Sequence, residues 1–131
     1  MLRRTLILGL VLVPGCGSEN EAACTAIGCD DGVIVTLPRY EGDVSVQICA
    51  ADRCETARGQ GSIGWMSVQV PVEGRSADVT VTVRDGAGLV VGRGRGTAPV
   101  TINQPNGPNC PPTCRQVLVT LRGTMLVPTL R

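Results

Sequence analysis

The 131-residue sequence has no histidine, no lysine and no phenylalanine, and its only aromatics are Tyr40 and Trp65. Without histidine there is no imidazole base, so Ser-His and Cys-His nucleophile pairs are excluded. Without lysine there is no Schiff base and no Ser-Lys pair. Mononuclear zinc hydrolases, which normally use His ligands, are excluded on the same ground. With so little aromatic bulk, a core must be built from Val, Leu, Ile and Ala. The abundant valine is β-branched and suits strands. All 12 basic residues are arginine, and the formal net charge is only +1.

What is present begins with three zones at the N-terminus. Arg3 and Arg4 form a positive start, Thr5 to Val13 form an apolar run, and Val13-Pro14-Gly15-Cys16 closes it. The run is far shorter than the roughly 20 apolar residues of a spanning helix and has the length of a secretory h-region. At this point the chain resembles bacterial lipoproteins: Val13, Gly15 and Cys16 match their lipobox, with Pro14 at the position usually held by a small residue. The resemblance implies cleavage before Cys16 and lipid on that cysteine. It divides the chain into a signal peptide (1–15), a lipidated Cys16 with a flexible tether (16–23), a β-domain (24–122) and a partly apolar tail (123–131) that either adds a strand or frays. Seven extended residues reach at most about 25 Å, so the domain is expected close to its membrane. Losing Arg3 and Arg4 takes the net charge to about −1, which gives no large field to draw nucleic acid or anionic lipid.

Seven cysteines are present: 16, 24, 29, 49, 54, 110 and 114. An odd number in an exported chain needs an explanation, and assigning Cys16 to lipid leaves an even six. These form three close pairs, which in the cytosol would suggest zinc and after export suggest disulfides. The segment Ile48 to Cys54 reads as strand end, turn and return, which predicts a local Cys49–Cys54 bridge. Cys24 and Cys29 are expected to cross to Cys110 and Cys114, in an order the sequence leaves open. Pro111-Pro112 stiffens the short loop against closing on itself. Each pair precedes a strong strand, and if those strands run parallel all four sulfurs meet at one end.

Hydrophobic periodicity is two almost throughout. Val33, Val35 and Leu37 share a face, as do Val44, Val46 and Ile48. Met66, Val68, Val70 and Val72 alternate with Trp65, Ser67, Gln69 and Pro71. Val79, Val81 and Val83 form another stripe, as do Val117, Val119 and Leu121. Glu41-Gly42-Asp43, Glu73-Gly74-Arg75-Ser76 and Asp85-Gly86-Ala87-Gly88 separate the runs. The last predicts a hairpin pairing 78–84 with 88–93. Short, regularly spaced strands predict an all-β domain, an antiparallel β-sandwich stapled by disulfides. The outline resembles immunoglobulin-like domains, with Trp65 following Cys49 by 16 residues but no second cysteine on a late strand. Because Trp65 lies in an alternating run, it is expected in the core and not as a ligand platform. The stretch Asn106 to Cys114, followed by a strand, also resembles small bacterial envelope lipoproteins of unassigned activity.

Other patterns carry less. Gly59-Gln60-Gly61-Ser62-Ile63-Gly64 spells a dinucleotide-binding pattern without the strand before and helix after that it requires, and reads as an inter-strand loop. Gly92-Arg93-Gly94-Arg95-Gly96 resembles an arginine–glycine segment but lacks interleaved aromatics. It reads as a strand end entering a turn, or as a local contact for an anion or lipid headgroup. Asp30, Asp31, Glu41, Asp43, Asp52 and Glu55 are the acids available to a two-carboxylate mechanism, each beside a turn. The expected role is therefore a membrane-anchored, non-catalytic structural or binding domain of the cell envelope, with no cofactor, no nucleic acid and a protein or glycan partner left open. Two alternatives remain. One is an exported enzyme with an unrecognised carboxylate site. The other is a cytosolic zinc module built on the cysteines.

Overall fold

A computed structural model describes residues 24–60 and 64–129. Every regular element in it is a strand: β1 (Gly32–Thr36), β2 (Val44–Ala50), β3 (Arg53–Gly59), β4 (Trp65–Val68), β5 (Ser76–Asp85), β6 (Val90–Asn103), β7 (Cys114–Arg122) and β8 (Met125–Pro128). Hydrogen bonding runs through all eight in the order β3-β2-β5-β6-β8-β7-β1-β4, with β6 also pairing β7. The edge strands β3 and β4 come close to each other, so the sheet nearly closes into a barrel.

The domain is thus all-β and disulfide-stapled, as the sequence predicts. It departs from the expected antiparallel sandwich in being one mixed sheet, because β1 lies parallel to β7 from Gly32↔Gln116 to Thr36↔Thr120. The tail contributes β8, antiparallel to β7, with Leu126 buried, so the folded domain extends past residue 122.

The period-two stripes meet inside. Val33, Val35, Val46, Val81, Val83 and Val117 are completely buried, and Val44, Ile48, Met66, Val68, Val70, Val72, Val79, Val119 and Leu121 join them. Trp65, by contrast, is 64% exposed. The expectation that it lies in the core fails because a strand buries one face at a time. Met66, Val68, Val70 and Val72 take the inner register and leave Trp65 outside. Tyr40 is the aromatic that packs against the core.

Contrary to expectation, Gly92 to Gly96 do not lead into a turn; they lie inside the long strand β6, paired to β5. Their inward positions are Gly92, Gly94 and Gly96, followed by Ala98. A Cβ at Gly92 would run into the Tyr40 hydroxyl, at Gly94 into Leu121, and at Gly96 into the Leu126 carbonyl. Three bare positions let the sheet curl tightly there and let β7 and β8 close over β6. A register shift between Val83 and Arg84, where Gly92 and then Val90 are the partners, adds a bulge at the same corner.

Closure stops at β3. Arg53, Glu55 and Ala57 pair with Ala50, Ile48 and Val46, and so occupy the inner register of that strand. Charged side chains on the inner register of an edge strand resist further pairing.

Candidate functional site

The strands define two ends. The base holds residues 24–31, the β2–β3 turn, the segment before β5 and the loop between β6 and β7. The far end holds the loop before β2, the β5–β6 turn and the β7–β8 turn.

At the base, Cys24 is bonded to Cys110 and Cys29 to Cys114, with Cα–Cα distances of 5.6 and 6.1 Å. This is the order the sequence left open. The parallel pairing of β1 with β7 aligns the two chain segments that carry these sulfurs. Cys49 is bonded to Cys54, directly opposite it on β2 and β3, with Cα atoms 4.0 Å apart. The intervening Ala51 has φ 52°, a left-handed conformation that a residue with a Cβ rarely adopts. These bonds engage the six sulfur atoms that the zinc alternative would need. Cys16 lies outside the described residues.

Polar side chains sew the base further. Asn106 Nδ2 donates to the Ile27 and Pro111 carbonyls at 2.8 and 2.7 Å, and its Oδ1 accepts from the Ile27 amide at 3.2 Å and from the Thr25 hydroxyl. Buried Gln116 donates from Nε2 to the Asp30 carbonyl at 3.0 Å and accepts from Asn103 at 3.2 Å. Arg115 donates from Nε to the Val72 carbonyl at 2.9 Å and from Nη2 to the Gly74 carbonyl, while its amide donates to Asp31 Oδ1 at 2.7 Å. Sequence reasoning missed Asn106, Arg115 and Gln116 as organisers, because their partners are distant backbone atoms that no local pattern marks.

The candidate acids do not converge. Asp30 and Asp31 lie at the base, Asp52 in the β2–β3 turn, Glu55 on the edge strand, and Glu41 and Asp43 at the far end. Asp43 does share an open groove of about 750 Å³ with Ser45, Arg58, Gln60 and Asp85. Asp85 Oδ1, however, already accepts from the Ala87 and Leu89 amides at 2.9 Å each and so shapes its own turn. Among the described residues no cluster of three or more His, Cys, Asp or Glu side chains is placed to hold a metal. Of the Gly59–Gly64 segment, residues 61–63 lie outside the described residues; Gly59 ends β3 and Trp65 begins β4, so the segment connects two strands.

Several arginines lie on the outer side of the sheet. Residues paired across a sheet share a face. On the outer face Arg58, Ser45 and Arg84 form one row, with Val90 beyond. Thr56, Gln47, Thr82 and Arg93 form the next. Cys54, Cys49, Thr80, Arg95, Met125 and Arg122 form the third. Five arginines thus stand on the outer side of the curved sheet, spread from β3 to β7, all exposed. Arg84 donates to the Gly88 carbonyl at 3.2 Å. Among the described residues no carboxylate pairs with Arg58, Arg93, Arg95 or Arg122. The sequence signalled only Arg93 and Arg95; the pairing puts the other three on the same side of the sheet. Set against known protein families, curated proteins and solved structures, the chain matches none of them.

Proposed function

We propose that this chain is an exported lipoprotein, cleaved before Cys16 and held by lipid on that cysteine at a membrane of the cell envelope, facing the periplasm or the exterior. Its β-domain has a structural or binding role and not a catalytic one. The observation that carries the reading is the cysteine pattern. Three disulfides occupy six cysteines, as suits an oxidising compartment, and the seventh is the one that closes the apolar N-terminal run. The described chain enters the domain at Cys24, which is itself bonded into the base, so a pull on the tether is taken up by a covalent link to Cys110. The dispersed acids and the lack of histidine and lysine support a role without chemistry.

Intact mass measured on the chain from the native host's membrane fraction, with and without reductant, tests this directly. The expected mass lacks residues 1–15, carries added acyl mass, and rises on reduction by two hydrogens for each of three bridges. Full-length material without acyl chains, recovered from the cell interior with free thiols, overturns the reading.

A further inference from the structure

We propose that the outer strip of β4 and β1, led by Trp65, is a binding site for a linear neutral glycan, with one pyranose ring stacked on the indole. The inference rests on the binding role proposed above and narrows it to one ligand class; it does not depend on the lipid anchor.

Trp65, Ser67 and Gln69 alternate with buried Met66, Val68 and Val70, so the three point to the same outer side of the chain. Thr36 lies opposite Trp65 on β1 and Ile34 opposite Ser67, in adjacent hydrogen-bonded strands about 5 Å apart. These are immediate neighbours, so the curl of the sheet does not separate them. Toward the base, a hollow of about 370 Å³ is lined by Ser67, Gln69, Ile34, Asp30 and Asp31 among others. It falls within the roughly 300–1,000 Å³ of small-molecule sites. A second hollow of about 430 Å³ shares Gln69, Asp30 and Asp31 with it. Trp65 stands about 13 Å from Gln69 along the chain, room for two linked sugar rings. The strip therefore has a flat aromatic at one end and a polar hollow at the other.

A tryptophan that is 64% exposed is a large apolar plane turned to water. A pyranose ring carries C–H groups on its faces and hydroxyls around its rim, so it covers such a plane while its hydroxyls reach polar neighbours. Those neighbours are uncommitted. Among the described residues the Trp65 indole N–H, the Thr36 and Ser67 hydroxyls, the Gln69 amide and the Asp30 carboxylate make no hydrogen bond within the domain. Asn106, Arg115 and Gln116, by contrast, are spent on holding the base. Charge narrows the choice further. Residues 65–69, 32–36 and 116–120, on three neighbouring strands, include no charged side chain, and the two acids at the base end repel a polyanion. Proteins that stack single-stranded nucleic acid combine their aromatics with a cationic groove. Proline-rich peptides dock in grooves lined by aromatics, and here Tyr40 packs against the core, which leaves one.

Trp65 is the single tryptophan, so its fluorescence reports the site directly. The full chain is titrated with cellohexaose and with N-acetylchitohexaose, whose equatorial linkages leave the ring faces open. A saturable change with at least one of them is expected, unaltered by added salt because no ion pair forms. Calorimetry then compares variants. Trp65→Ala is expected to weaken binding at least about tenfold, and Trp65→Phe less. Ser67→Ala and Gln69→Ala should each weaken it about three- to tenfold. Thr80→Ala, on β5 and outside the strip, should leave it unchanged. No saturation by either hexasaccharide overturns the proposal, as does affinity that survives in a folded Trp65→Ala variant. Tighter binding of decaproline or of polygalacturonate than of either neutral glycan also overturns it, in favour of a peptide or an acidic ligand. The anchor is read separately by mass: a cleaved, acylated chain that binds neither glycan refutes this inference and leaves the lipoprotein reading standing.

Discussion

The base and the far end of this domain are held by different means. The base carries two disulfides joining residues 86 and 85 positions apart, together with the hydrogen bonds of Asn106, Arg115 and Gln116 to distant backbone. The far end is built from local turns, of which the Asp85 turn is the best formed. A small domain with an aliphatic core gains most where a link closes a long loop, because that removes the most freedom from the unfolded chain. The contrast fits the proposed tether, under which the cross-linked base is the end that would take the load.

The comparison breaks most visibly if the base is uncoupled. Replacing Cys24, Cys29, Cys110 and Cys114 together by serine frees the long loop and is expected to cost at least about 4–5 kcal/mol in the chain-entropy model, against about 2 kcal/mol for replacing Cys49 and Cys54. Denaturant melts of the two variants should show this order. Equal losses would mean that loop length does not set the stability of the base. Asn106→Ala removes a side chain that ties Thr25 and Ile27 to Pro111, and is expected to cost about 2 kcal/mol even with both bridges intact. Its hydrogen exchange should quicken at Ile27 while the β5 amides stay protected. At the far end, Asp85→Ala frees two loop amides that water can reach, so the expected loss is about 1 kcal/mol, with faster exchange confined to Ala87 and Leu89. A loss larger than that of Asn106→Ala would invert the comparison.

Much of this was legible. The stripes at Val33–Leu37, Val44–Ile48, Val79–Val83 and Val117–Leu121 locate four strands, and cysteine spacing separates the local bridge from the long-range ones. Strand β3 was less visible, because an edge strand that places Arg53 and Glu55 on its inner register shows no apolar alternation. Strand β6 was masked by its glycines, which locally read as turn formers. Only the approach of Tyr40, Leu121 and Leu126 from distant parts of the chain explains why those positions must be bare. Trp65 was misplaced although its own neighbours held the answer, since four aliphatic residues in the opposite register outweigh one aromatic. The placing of the arginines was illegible for a further reason. Arg58, Arg84, Arg93 and Arg122 lie on four strands, and only the pairing of the sheet sets all of them on its outer side.

The smallest expected effect concerns Tyr40, which covers the glycine corner of β6 from the far end. Burial raises its phenol pKa above the ordinary value of 10.0, because the phenolate would lose its hydration there. The folded state therefore holds the phenolic proton more tightly than the unfolded chain does. This contribution is fully present below the unfolded pKa, and it is lost as pH rises from there through the folded value. Since Tyr40 is the single tyrosine of the chain, the phenolate absorbance band reports it without ambiguity. Native protein should titrate at higher pH than protein in denaturant, and Tyr40→Phe should flatten the alkaline fall in stability. The same titration repeated on the Asp85→Ala variant sharpens the comparison of the two ends. If the far end is stabilised turn by turn, the Tyr40 curve stays where it was; if its turns act as one unit, loosening the Asp85 turn lets water in and moves the curve back toward that of the unfolded chain.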